Sequence, residues 1–204
     1  MSTRLTRGLA MLGAAALCAA CAKSESRSDS TAATADTTAS ATAAAAPAPA
    51  PAALTDTSIL GLLDELNAAD STTGSMASTK GTNPAVKSFG KDMMRDHHKL
   101  RADGQALAKK LNITPAPPAN DTLPATVKKI GDTLTATPKG ADWDKLYINT
   151  EVNVHQFVLS FLQNAQSAAT DSSLKAAITK ATPIIQGHLT QAQAIQTKLN
   201  AAKP

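Results

Sequence analysis

Three of the four histidines in the chain fall on the apolar stripes of different predicted helices. These are His97, His155 and His188, and a carboxylate, Asp70, interrupts the apolar stripe of a fourth predicted helix. Imidazole and carboxylate groups are costly to bury without partners, whereas both are good ligands for transition metals. The pattern therefore predicts one buried site for a transition metal ion, with zinc, iron, manganese and copper as the candidates.

Four further residues could complete or support this site. Glu151 lies one helical turn before His155, so it could bind the metal itself or orient that imidazole ring. Asp96, Asp144 and Tyr147 are candidates for hydrogen bonds to the ligands rather than for direct binding. A histidine on an apolar stripe can also be an ordinary core residue that is held by hydrogen bonds. A polar network without metal therefore stays open as the alternative.

The spacing of apolar residues predicts four long helices and one short one. Apolar side chains recur at intervals of three and four over about 56–79, 84–111, 142–169 and from about 171 onward. The connection 112–138 contains a shorter amphipathic stretch. Two helical hairpins joined by one long connection predict an all-α fold, a ferritin-like four-helix bundle with a short helix between its second and third helices. An up-down bundle capped by a short fifth helix is the alternative.

Helix geometry tests whether the candidate ligands can meet. His155 and His188 lie at similar distances on either side of a predicted turn near residue 170, with a mismatch of about 4 to 5 Å along the helices. Asp70 and His97 lie on either side of a turn near residue 81, with an offset of roughly 6 Å. Both offsets are close to one helical turn or less, so the sequence is compatible with a single shared site.

Three sequence elements together resemble a known family. They are the stretch from Asn83-Pro84 to Asp96-His97, the element Trp143-Asp144-x-x-Tyr147 followed by His155, and Pro183 followed by His188-Leu189. Over about residues 56–200 the chain resembles the DUF4142 family of exported, ferritin-like four-helix proteins. The resemblance implies site roles for the three histidines and for an acidic residue in the first helix. Asp70 replaces the usual Glu there, with a side chain about 1.5 Å shorter.

Residues 1–21 have the features of a bacterial export signal, because early arginines and the apolar stretch Leu9–Leu17 precede small residues and Cys21. That stretch is too short to span a bilayer, which takes about 20 residues. Cys18-Ala19-Ala20-Cys21 resembles a lipoprotein processing box, although Leu is usual in place of Cys18, and it predicts lipidation of Cys21. Ala22 favours an outer membrane lipoprotein that faces the periplasm. A secreted protein without lipid is the alternative.

The rest of the chain divides into a tether and one domain. Residues 22–53 are mainly Ala, Ser, Thr and Pro, without aromatic or large aliphatic side chains, and they predict a disordered tether. Residues 54–204 form the predicted helical domain. Basic and acidic residues are nearly balanced, 20 against 16 over the chain, which argues against a nucleic acid partner. The predicted partner is the membrane, through the lipid anchor.

Missing motifs restrict the chemistry further. Dinuclear sites of ferritin-like bundles use Glu-x-x-His elements, and the chain has none. It also lacks a Gly-x-Ser-x-Gly element and a phosphate-binding glycine loop, so the sequence favours binding over catalysis. We expect an envelope-anchored protein with one site of three histidines and a carboxylate, which acts in metal binding or envelope stress protection. A structural or partner-binding helical lipoprotein without metal is the alternative.

Overall fold

The computed structural model describes residues 53–201, and the predicted export signal, the lipidation site Cys21 and nearly all of the predicted tether lie outside this range. Within it the fold is all-α, as predicted, with no strand. The helices are α1 (Asp56–Lys80), α2 (Pro84–Lys110), α3 (Leu123–Ala136), α4 (Ala141–Ala168) and α5 (Ser172–Ala201). None of them is both long and apolar enough to cross a membrane.

Polar side chains determine where three of the long helices begin. Thr55 and Ser58 form a reciprocal capping pair at the start of α1. The side-chain oxygen of Asn83 accepts a 2.8 Å hydrogen bond from the backbone amide of Ala85 at the start of α2. Asp171 accepts hydrogen bonds of 2.7 and 3.1 Å from two backbone amides at the start of α5. The helix starts that the sequence predicts at Asn83 and Asp171 are therefore observed.

The long helices pack as two hairpins, α1 with α2 and α4 with α5. The hairpins contact each other through α2 with α5 and α1 with α4, while α3 packs against α1 and α4. The backbones of α1 and α2 approach most closely at two glycines. A Cβ atom on Gly90 would lie 2.7 Å from the carbonyl oxygen of Gly74 and 2.6 Å from the Cβ of Ala77. The close contact of the first hairpin therefore requires glycine at this position.

Each hairpin contributes a carboxylate that accepts hydrogen bonds from the turn of the other hairpin. Asp144 at the start of α4 accepts hydrogen bonds of 2.9 and 2.7 Å from the amides of Thr82 and Asn83, in the turn between α1 and α2. Asp56 at the start of α1 accepts hydrogen bonds of 2.8 and 3.0 Å from the amides of Thr170 and Asp171, between α4 and α5. These contacts fix the two hairpins relative to each other along the bundle.

Two apolar clusters fill the interior, one toward each end. The first combines the C-terminal parts of α1 and α5 with the N-terminal parts of α2 and α4 and with Leu134 of α3. The second combines the opposite ends of the four long helices. Along α4, His155 lies between Val152 of the first cluster and Val158 of the second. Apart from Ser58 and Asp144 at the helix starts, the buried polar residues therefore occupy a layer in the middle of the bundle, between two apolar regions.

Candidate metal centre

Three imidazole rings converge in this polar layer: His97 from α2, His155 from α4 and His188 from α5. One potential ligand nitrogen from each ring lies within 4.8 Å of the other two. The ring centroids are 5.2 to 5.5 Å apart, and the residues are 1%, 0% and 5% exposed. Nitrogens that share a tetrahedral zinc ion lie roughly 3.3 Å apart. At up to 4.8 Å apart, the three nitrogens would have to move closer together to share one such ion.

Each of the three rings is held by a hydrogen bond through one of its nitrogens. The contacts are His97 Nδ1 to Asn67 Oδ1 at 2.9 Å, His155 Nδ1 to the main-chain oxygen of Glu151 at 2.9 Å, and His188 Nε2 to Asp96 Oδ2 at 3.0 Å. The amide group of Asn67 donates to the Leu63 carbonyl at 2.7 Å, which leaves its oxygen for the ring. Because all three partners are acceptors, each of these ring nitrogens donates a proton.

The remaining nitrogen of each ring is buried and has no hydrogen-bond partner. These atoms are Nε2 of His97, Nε2 of His155 and Nδ1 of His188. In a neutral ring whose other nitrogen carries the proton, such an atom presents a lone pair. Burying an unpartnered polar atom costs free energy. A metal ion would bind these lone pairs, and histidine ligands in metal sites commonly donate their other N–H group as these rings do.

The surroundings keep the imidazoles of His97 and His155 neutral. Burial lowers the pKa of His97 well below its ordinary value, and repulsion from the other two imidazoles lowers it further. Burial also lowers the pKa of His155 to about 4. Hydrogen bonds from Arg95 hold the pKa of Asp96 below its usual range, so that His188 donates to a carboxylate anion. A neutral imidazole is the form that binds metal, so protons compete little for His97 and His155 near neutral pH.

The two predicted carboxylate ligands lie beside the protonated ring nitrogens instead of the unpartnered ones. Oδ2 of Asp70 is 3.5 Å from Nδ1 of His97, and Oε2 of Glu151 is 3.5 Å from Nδ1 of His155. Within residues 53–201 the group of close ligand atoms contains the three histidines alone. Asp70 and Glu151 are therefore placed to orient the rings and to influence their charge.

Asp70 and Glu151 form a buried acidic pair with two hydroxyl-bearing neighbours. Thr73 donates a 3.0 Å hydrogen bond to Oε1 of Glu151. Burial raises the pKa of Asp70 to about 7, and burial followed by the charge of Asp70 raises the pKa of Glu151 well above its usual value. Burial also raises the pKa of Tyr147, whose ring stacks on Trp143 at 5.5 Å. The hydroxyl group of Tyr147 is buried beside Glu151 without a hydrogen bond of ordinary geometry.

The structure corrects the expected position of Asp144. This residue lies three helical turns from His155 along α4, about 16 Å away, and its carboxylate is used by the turn that contains Thr82 and Asn83. It therefore has no contact with the imidazoles. Asp96, by contrast, makes the kind of hydrogen bond to a candidate ligand that the sequence predicts.

Neither Asn67 nor Thr73 is among the site residues predicted from the sequence. Both are buried in α1 on the same face as Asp70, and the three residues follow one another at intervals of three. Asn67 accepts the hydrogen bond from His97, and Thr73 donates to Glu151. The sequence does contain an indication of their role, because short polar side chains recur at helical spacing within the apolar stripe of α1.

A cavity of about 460 Å³ extends from one of the three imidazoles, that of His97, toward solvent. Asn67, Asp70 and His97 line it, as do the exposed residues Asp103 and Lys180. The cavity therefore provides a route by which an ion could reach His97 without unfolding the bundle.

Comparisons with known proteins agree with this fold. The solved structure titled "CopM in the Cu(II)-bound form" matches with a TM-score of 0.56 and 14% sequence identity, over 71% of this chain and 98% of that chain. At this identity the match shows a shared helical fold and nothing beyond it. No curated protein sequence gives a significant match. The model of the DUF4142 family, a domain of unknown function, matches residues 38–195. Because this match covers most of the sequence, the chain belongs to the DUF4142 family.

Proposed function

We propose that this protein binds a divalent transition metal ion through His97, His155 and His188. One observation carries the proposal: each of the three buried rings offers a nitrogen within 4.8 Å of those of the other two, and each ring has one hydrogen-bonded nitrogen and one buried nitrogen without a partner. Buried nitrogens without a partner are unfavourable, and one bound cation would give all three a partner. The same three residues are those that the sequence pattern indicates.

Copper(II) is the metal that we propose. A site that offers only imidazole nitrogens and no thiolate suits copper and zinc, and copper(II) has the higher affinity in the series of divalent first-row metals. The fold likeness to a protein whose title gives a Cu(II)-bound form is compatible with this choice. Zinc, iron and manganese follow as weaker alternatives.

We propose that the site binds its metal ion reversibly and exchanges it, and that it does not store the ion permanently. Three protein ligands leave a further coordination position for water or for a ligand from another molecule. The cavity that His97 lines brings solvent close to one of the three proposed ligands, which supports exchange. Such a site is suited to metal buffering or to protection of the envelope against metal stress.

The finer description of the bundle and its location are also part of the proposal. The first apolar cluster contains the N-terminal parts of both α2 and α4, so these helices run in the same direction and their connection must cross the length of the bundle. This supports a ferritin-like arrangement with α3 in the crossover. A lipid on Cys21 and a tether over residues 22–53 would hold this domain at the outer membrane, in the periplasm. Cys21→Ala should then move the protein from the membrane fraction to the soluble fraction, and unchanged fractionation would contradict the anchor.

A polar network without metal is the second candidate. The hydrogen bonds that hold the three rings favour it, because they would stabilise the fold by themselves. The two candidates differ in one measurable respect. The network requires no metal, whereas the proposed site binds one ion for each chain.

Elemental analysis and copper titration of the full chain test the proposal. We expect one Cu(II) ion for each wild-type chain and none in the double variant His97→Ala, His188→Ala. His98→Ala is the matched control, because His98 is exposed next to His97 in α2, and it should bind copper as the wild type does. Circular dichroism would establish that the double variant is folded. Equal metal content in the wild type and a folded double variant would exclude the site.

A further inference from the structure

A second cavity, of about 450 Å³, lies between α1, α3 and α4. Leu62 of α1, Val127 and Ile130 of α3, and Val154 and Phe161 of α4 contribute to its walls. No histidine lines it, so it is separate from the space between the three imidazoles. Its volume is within the range of about 300 to 1,000 Å³ that is usual for small-molecule sites.

Carboxyl groups supply the charged atoms of this cavity. Asp70 and Glu151, which are 4% and 1% exposed, line it from α1 and α4, and Asp121 lines it just before α3. Each of the three has a buried carboxyl oxygen without a hydrogen-bond partner. No lysine, arginine or histidine is among the lining residues. Behind the cavity wall, Nδ1 of His97 and Nδ1 of His155 lie 3.5 Å from the carboxyl oxygens of Asp70 and Glu151. On the cavity side, a bound cation could supply the positive charge that the lining lacks.

An exposed aromatic ring extends the apolar wall outward. Phe157 is 57% exposed, more than any other large apolar side chain among residues 53–201, and it also lines this cavity. The apolar part of a bound molecule could therefore continue from the buried walls onto the ring of Phe157. The cavity thus combines acidic groups in its interior with an apolar path to the surface.

We propose that this cavity binds a small amphiphilic amine. The ammonium group would contact the carboxyl groups of Asp70 and Glu151, and the apolar body would lie between α3 and α4 against Phe157. A bound ammonium ion would favour the ionised form of these carboxyl groups, whereas a fatty acid or an alcohol of the same shape would bring no positive charge to them. This inference goes beyond the proposed metal function and does not depend on it.

Three probes of equal chain length test the preference for an amine. Octylamine, 1-octanol and octanoate are titrated into the full chain by calorimetry in the presence of a chelator, so that no metal competes for the amine. We expect octylamine to bind at least tenfold more tightly than 1-octanol, and octanoate to bind more weakly still. Equal binding of octylamine and 1-octanol, or no binding of octylamine, would overturn the proposal.

Variants then locate the binding site. Glu151→Gln should weaken octylamine binding about tenfold and change 1-octanol binding little. Ala69→Phe fills the same cavity from α1 without removing a carboxyl group, so it should abolish binding of octylamine even if the Glu151 variant does not fold. Asp132→Asn is the control, since Asp132 is an exposed acid on α3 outside the cavity. Octylamine affinity that survives Ala69→Phe, or that falls equally in Asp132→Asn, would contradict the assignment.

Discussion

Nε2 of His188 and Oδ2 of Asp96 lie 3.0 Å apart and join α5 to α2. Arg95 also donates to Asp96, through Nε at 2.8 Å and a terminal nitrogen at 3.0 Å. Asp96 is therefore an anion that fixes which nitrogen of His188 carries the proton. The other nitrogen, Nδ1, is left for the proposed metal.

Asp96→Asn should lower the affinity for copper(II) by about 10- to 100-fold, the usual effect of removing an outer hydrogen-bond partner of a ligand. The reason is that an amide group has no negative charge and can present its NH₂ group to the ring. Asp92→Asn is the matched control, because Asp92 also binds Arg95, at 2.8 Å, without contacting His188. Competition with a chromogenic chelator measures both affinities. Equal losses in the two variants would show that the effect comes from Arg95 and not from His188.

Asp144 should matter for stability and not for metal binding. Asp144→Ala removes the acceptor of two backbone amides in the turn between α1 and α2. Since hydrogen bonds to charged groups contribute about 1.5 to 3 kcal/mol each, we expect the free energy of unfolding to fall by roughly 3 kcal/mol in urea titrations. Asp142→Ala, two residues earlier and exposed, should change it by less than about 0.5 kcal/mol. Loss of copper from a folded Asp144→Ala protein would contradict this assignment.

Helix periodicity explains why much of the fold was predictable. The apolar stripes set the extent of each helix, and the tight turns near residues 81 and 170 set the level at which residues of one hairpin meet. His97, His155 and His188 therefore converge as their spacing predicts. Asp144 belongs to the same sequence element as Tyr147, but it lies in the first turn of α4. Its carboxylate therefore contacts the turn between α1 and α2 and not the imidazoles.

The roles of Asp70 and Glu151 depend on details that spacing does not determine. A residue number gives the level and face of a side chain but not its rotamer. His155 donates to the main-chain oxygen of Glu151 at 2.9 Å, while the carboxylate of Glu151 lies 3.5 Å away and accepts from Thr73. These rotamers and hydrogen bonds determine which nitrogen of the ring is left without a partner. The sequence could therefore indicate the site without indicating its outer hydrogen bonds.

Asp70 should make the metal-free protein less stable as the pH rises. Its pKa is about 7 in the folded chain and about 3.9 in an unfolded one. Between these values the folded state binds more protons, so the free energy of unfolding falls as pH rises from about 4 to about 7 and is constant above that. Asp70→Asn removes this contribution. We expect the variant to gain on the order of 2 kcal/mol over the wild type between pH 5 and pH 8.

Urea unfolding at both pH values, with a chelator present, measures this gain. Burial lowers the pKa of His97 and of His155, which makes the folded protein more stable as pH rises. This opposite trend occurs in both proteins, so it cancels in the comparison. Asp103→Asn, an exposed substitution in α2, serves as the control and should show the same pH dependence as the wild type. A gain for Asp70→Asn that is equal at pH 5 and pH 8 would exclude the raised pKa.

Two glycines of α2 should respond oppositely to alanine. A Cβ on Gly90 would lie within 3 Å of atoms of α1, so Gly90→Ala must separate the helices and should lower the free energy of unfolding by about 1 to 3 kcal/mol. Gly104 has no atom within 4 Å of such a Cβ, and Gly104→Ala should raise it by about 0.5 to 1 kcal/mol because alanine favours the helix. Chemical denaturation of both variants measures the contrast. A stabilised Gly90→Ala protein would show that the contact between α1 and α2 is looser than the distances require.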